Sequence, residues 1–96
     1  MKNELYMLTS KEFKLSEIVY ILSNLEITRY IPILDENVMF MSNEPNVTTL
    51  ANNIIEEAKK ITKKEDISQF LLLKIGENYN GWFDENLWNW ISKNDI

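Results

Sequence analysis

The chain has no cysteine and no histidine among its 96 residues, a single arginine, two glycines, two prolines and no long hydrophobic run. Without cysteine there is neither a disulfide nor a thiolate nucleophile, and cysteine spacing says nothing about redox compartment. Without histidine, ordinary zinc sites and His-dependent triads fall away, together with the side chain best suited to proton transfer near neutrality. No stretch approaches the ~20 apolar residues that cross a bilayer. The opening MKNELYMLTSKEF carries early acids and no apolar h-region, so it does not read as a secretory signal, and a cytoplasmic location is expected. Basic charge is also scarce: 10 bases against 15 acids give a net charge of −5. That disfavours nucleic acid, which draws affinity from cations displacing phosphate counterions, and disfavours an anionic membrane surface.

What is present suits one globular domain spanning residues 1–96, with 45% hydrophobic and 11% aromatic content. Leu5 to Leu8 is apolar on both faces and reads as an interior strand. A first helix over about Ser16 to Asn24 follows from Leu15, Ile18, Val19, Leu22 and Leu25 at helical spacing. Its start is signalled twice, by Thr9 with Glu12 and by Ser16 with the staple pair Leu15 and Tyr20. Thr28 to Leu34 is β-rich but contains Pro32, which cannot donate to a ladder and so belongs at a sheet edge. Val38 to Met41 completes a hairpin through the turn Asp35-Glu36-Asn37.

From Val47, the residues Leu50, Ala51, Ile54, Ile55, Ala58 and Ile61 trace an amphipathic helix, with Asn46 as its N-cap and Lys59, Lys60, Lys63 and Lys64 near its negative pole. Phe70 to Ile75 is a further strand, followed by Gly76, the turn dipeptide Asn80-Gly81, and a helix over about Glu85 to Ser92. Asp84 is placed to cap that helix, and Phe83 with Trp88 to staple it. The order strand, helix, strand, strand, helix, strand predicts an α+β ferredoxin-like plait (βαββαβ) with an extra C-terminal helix.

A sheet covered on one side should alternate apolar and polar residues. These strands do not: Leu5 and Met7 oppose Tyr6 and Leu8, Val38 and Phe40 oppose Met39 and Met41, and Phe70 and Leu72 oppose Leu71 and Leu73. Leaving six such residues wet would forfeit on the order of 10 kcal/mol at ~25 cal/mol per Å², comparable to a domain's whole stability. Two arrangements would cover the second face. A homodimer packs sheet on sheet, with the Trp-rich C-terminal helix or the edge strand wrapping the seam, or the C-terminal helix folds over its own sheet. The first is the expectation, with Tyr6, Leu8, Met39, Met41, Tyr79, Trp82, Trp88 and Trp90 as interface residues.

The segment Asn37-Val38-Met39-Phe40-Met41-Ser42, and Leu71 to Ile75 followed by Tyr79, Gly81, Trp82 and Trp90, resemble the CRISPR-adaptation endoribonuclease-like family of small ferredoxin-fold dimers. The resemblance implies a plait dimer and a metal held by an aspartate at the end of the first strand. Here that strand ends Leu8-Thr9-Ser10 with no carboxylate before Glu12, so no metal site is carried over.

Other candidate groups have structural explanations. Asp35 and Glu36 fit a solvated turn better than a cation site, Asp84-Glu85 a cap, and the lysine cluster a helix end balanced by Glu56, Glu57, Glu65 and Asp66. Gly76-x4-Gly81 lacks the lysine of a phosphate loop. No catalytic residue, cofactor or metal is expected. The functional expectation is a non-catalytic protein-binding module, an acidic inhibitor of the immunity, antitoxin or phage anti-defence type with a heterologous protein target. The alternatives are a divergent metal-dependent endoribonuclease-like or nucleic-acid-associated plait dimer, and a small-molecule binder at the dimer seam.

Overall fold

The computed structural model describes residues 3–34, 37–67, 69–75 and 85–93. Its elements are β1 (Glu4–Ser10), α1 (Leu15–Asn24), β2 (Tyr30–Leu34), β3 (Asn37–Ser42), α2 (Val47–Thr62), β4 (Phe70–Ile75) and α3 (Glu85–Lys93). The strands form one four-stranded antiparallel sheet in the order β2-β3-β1-β4. The expected α+β class is therefore present, with β1 and β3 central and Pro32 on the edge strand β2. A register shift between Pro32 and Leu34 marks an irregularity in that same edge. No described helix is long and apolar enough to cross a membrane.

α2 starts as its sequence predicts. Asn46 Oδ1 accepts from the Thr48 and Thr49 amides at 2.9 and 3.0 Å, satisfying two donors that the first turn leaves without helical partners. α1 starts at Leu15, one residue before the expected Ser16, but neither expected cap residue is the one used. β1 extends through Thr9 to Ser10 because Thr9 pairs with Leu71 and Ser10 with Phe70, so Thr9 is committed to the ladder. The helix follows Lys14, whose amide donates to Glu17 Oε1 at 2.8 Å, and Ser16 lies inside the first turn. Asp84, Phe83 and the Asn80-Gly81 turn lie outside the described residues.

Cross-strand register decides which side chains share a face. Tyr6 stands between Phe40 on β3 and Lys74 on β4, while Leu8 stands between Val38 and Leu72. This parity faces α1 and α2, where Tyr6, Leu8, Val38 and Phe40 close a core with Phe13, Ile18, Ile21, Leu22, Leu50 and Ile54. The Tyr6 and Phe40 rings stack at 5.6 Å between centroids, a cross-strand aromatic pair that adds to the area it buries. The opposite parity, Leu5, Met7, Met39 and Met41, faces the other way.

Lys63 ends α2 in the left-handed region, at φ 58° and ψ 25°, where a side chain crowds the backbone. Lys63→Gly removes that crowding at an exposed position and should raise stability by about 0.5–1 kcal/mol. A rise in the urea midpoint with an unchanged slope is the expected result, and an unchanged or lower midpoint would contradict it.

Candidate functional site

The second sheet face is floored by apolar side chains and roofed by the chain's own last helix. Leu5, Met39, Met41 and Ile91 form a buried cluster, with Met7, Ile31, Ile33, Ile75, Trp88 and Trp90 packed against it. α3 lies toward β2 and contributes Ile91, which is 6% exposed. Intramolecular cover thus replaces much of what a sheet-on-sheet partner was expected to supply.

The eight expected interface residues divide accordingly. Tyr6 and Leu8 have no exposed surface and lie under α1 and α2, so neither can meet a partner. Strict alternation along a strand puts residues of one parity together, but only the register shows which parity faces the helices. Met39 and Met41 are on the second face, nearly covered, with Trp88 and Trp90 beside them. Tyr79 and Trp82 lie outside the described residues.

The cover is incomplete over β4. Leu71 is 52% exposed and Leu73 45% exposed, and they belong to neither buried cluster. Both stand on the second face, Leu71 opposite Thr9 and Leu73 opposite Met7. The next residue in that row, Ile75, is packed against the second-face cluster. An open hollow of about 520 Å³ lies at the other end of the row, between the end of β1 and the start of β4, lined by Thr9, Ser10, Lys11, Gln69, Phe70 and Leu71. The sequence counts these leucines among the residues of a second face that needs cover but does not name them among the eight interface residues. Their signal is an apolar residue at every outward position of a strand with one polar residue, Lys74.

β4 is also a sheet edge, and its hydrogen-bonding parity can be assigned. The Lys11 amide donates to the Gln69 carbonyl at 3.2 Å, and these residues continue the β1–β4 register. In an antiparallel ladder such bonded pairs recur at every second residue, so Leu71, Leu73 and Ile75 direct their main-chain groups toward β1. Phe70, Leu72 and Lys74 direct theirs outward from the sheet.

Two other places carry polar chemistry. Tyr6 donates its phenol to the Glu44 carbonyl, tying β1 to the loop before α2. Burial, followed by the charges of Glu4 and Glu44, raises its pKa above the ordinary tyrosine value. A smaller hollow of about 190 Å³ has Glu26, Thr28, Arg29, Ser42 and Asn43 in its wall. The only arginine therefore borders a cleft, and its carbonyl accepts from the Met41 amide at 2.9 Å. Among the described residues no group of three or more acidic side chains is placed to hold a metal ion. Asp35 and Glu36 lie outside them.

Comparison with protein-family models, curated proteins and solved structures finds no match to this chain.

Ile91→Ala should cost about 2 kcal/mol or more, because it opens a space beneath α3 and uncovers Met39 and Met41. Chemical denaturation measures the loss, and a change under about 0.5 kcal/mol would show that α3 does not carry the roof. Tyr6→Phe should cost about 1 kcal/mol by removing the bond to Glu44. A raised phenol pKa means that the folded chain holds its proton more tightly than the unfolded chain. The associated stability is complete below the unfolded value, about 10, and is lost as pH rises from there through the folded value. Stability curves at alkaline pH should lose this component in Tyr6→Phe, and identical curves for the two proteins would contradict the assignment.

Proposed function

We propose that the chain is a ferredoxin-like plait that acts through contact with protein, as a small non-catalytic inhibitor or neutralising partner of the immunity, antitoxin or phage anti-defence type. The βαββαβ order, with β1 and β3 central, supports the plait. The observation that carries the functional reading is the pair Leu71 and Leu73, left half-exposed on an apolar edge strand of a sheet whose remaining second face is roofed. Such a margin is a site for protein association, because both apolar area and main-chain donors and acceptors are presented together.

The acid excess bears on the kind of target. Of the 15 acids, Asp35, Glu36, Glu77, Asp84 and Asp95 lie outside the described residues, whereas Lys2 is the only one of the 10 bases to do so. The helices themselves carry mixed charge, including the Lys60–Glu57 pair at 3.6 Å. Net negative charge would steer the chain toward a basic partner surface, with contact then made at the β4 margin.

The test is affinity capture with the full chain and with Leu71→Asp combined with Leu73→Asp, both shown to be folded by circular dichroism. A partner held by the original chain should bind the variant at least about tenfold more weakly, and its association rate should fall as salt is raised. Equal binding by both chains, or magnesium-dependent cleavage of RNA by the purified protein, would contradict the reading.

A further inference from the structure

The two edges of the sheet are protected unequally. β2 contains Pro32, carries the register shift and lies beneath α3. Proline, irregular pairing and a covering helix are all devices that stop an edge from recruiting another strand. β4 has no proline and no register shift against β1. Its single charge, Lys74, is drawn back to its own chain: Nζ donates to the Pro45 carbonyl at 2.9 Å and lies 4.0 Å from Glu4.

We propose that β4 pairs with β4 of a second copy, antiparallel about a twofold axis at Leu72, to give a continuous eight-stranded sheet. This rests on the reading of the β4 margin as a protein-contact surface and makes a second copy its occupant in the free protein, which a heterologous target would displace. The outward main-chain groups of Phe70, Leu72 and Lys74 fit this register: Leu72 meets its own counterpart and Phe70 meets Lys74, each pair exchanging two bonds. Leu71 then stands opposite Leu73 in both halves of the seam. Those are non-bonded pairs, whose side chains approach most closely, so the exposed leucines cover each other.

Charge selects this register over its neighbours. Each Lys74 comes opposite Phe70 rather than another cation, so the two charges stay apart. Moving the axis to Lys74 would set the two lysines face to face, and moving it to Phe70 would leave every residue from Leu71 to Ile75 without a partner on the strand. The seam is short, at the low end of specific interfaces, below about 1,200 Å² in total, so the dimer is concentration-dependent.

Sedimentation equilibrium of the full chain from about 1 micromolar to several hundred micromolar should show the mass rising from one chain toward two. One-chain mass throughout overturns the self-pairing, while the loss of a captured partner by the Leu71→Asp, Leu73→Asp protein would still stand for the broader reading. The absence of native cysteine allows the register to be tested directly. A mixture of Leu71→Cys and Leu73→Cys chains under a mild oxidant should give the mixed disulfide in about tenfold preference to either symmetric one. Equal yields overturn the register. Leu71→Lys with Leu73→Glu places opposite charges across the seam and should dimerise, whereas Leu71→Lys with Leu73→Lys should dimerise at least about tenfold more weakly. Equal dimerisation of the two folded variants overturns the proposal.

Discussion

A sheet whose central strands are apolar on both faces needs two covers, and that requirement shapes this molecule. α1 and α2 cover one side, where Tyr6, Leu8, Val38 and Phe40 have no exposed surface. α3 supplies the second, through Ile91 against Leu5, Met39 and Met41. A nine-residue helix is too short to be stable alone, so packing on the sheet must contribute most of its order. It also lies toward one side of the sheet, and this leaves the β4 leucines uncovered.

The apolar excess is therefore divided between a face roofed by α3 and a strip on β4 left exposed. Burial beneath α3 stabilises the single chain. The residual strip on β4 is smaller than the whole face that a sheet-on-sheet dimer would use, and it joins apolar side chains to an open row of main-chain groups. A contact made there extends the sheet instead of stacking on it. It also leaves α3 in place, so association does not require the second face to be unroofed.

The helical repeat of α2 and its Asn46 cap were legible in the sequence because both are local: the spacing and the cap act within a few residues. β4 was legible for the same reason, as an apolar run between polar segments. The start of α1 was legible to within one residue, but the rival cap at Thr9 could not be dismissed, because pairing of Thr9 and Ser10 with β4 depends on residues about sixty positions away. The same limit explains the grouping of Tyr6 and Leu8 with Met39 and Met41. Each strand shows two apolar parities, and nothing within one strand says which one matches a given parity in the next. Leu71 and Leu73 were readable as apolar but not as exposed, since their exposure depends on where α3 comes to rest.

Amide hydrogen exchange across β4, followed by NMR at a concentration low enough to favour single chains, tests the account most directly. Leu71, Leu73 and Ile75 should be protected by β1, while Phe70, Leu72 and Lys74 exchange much faster. Uniform protection along β4 at low concentration would show that the chain already covers this edge itself, and would contradict the open margin on which the account depends.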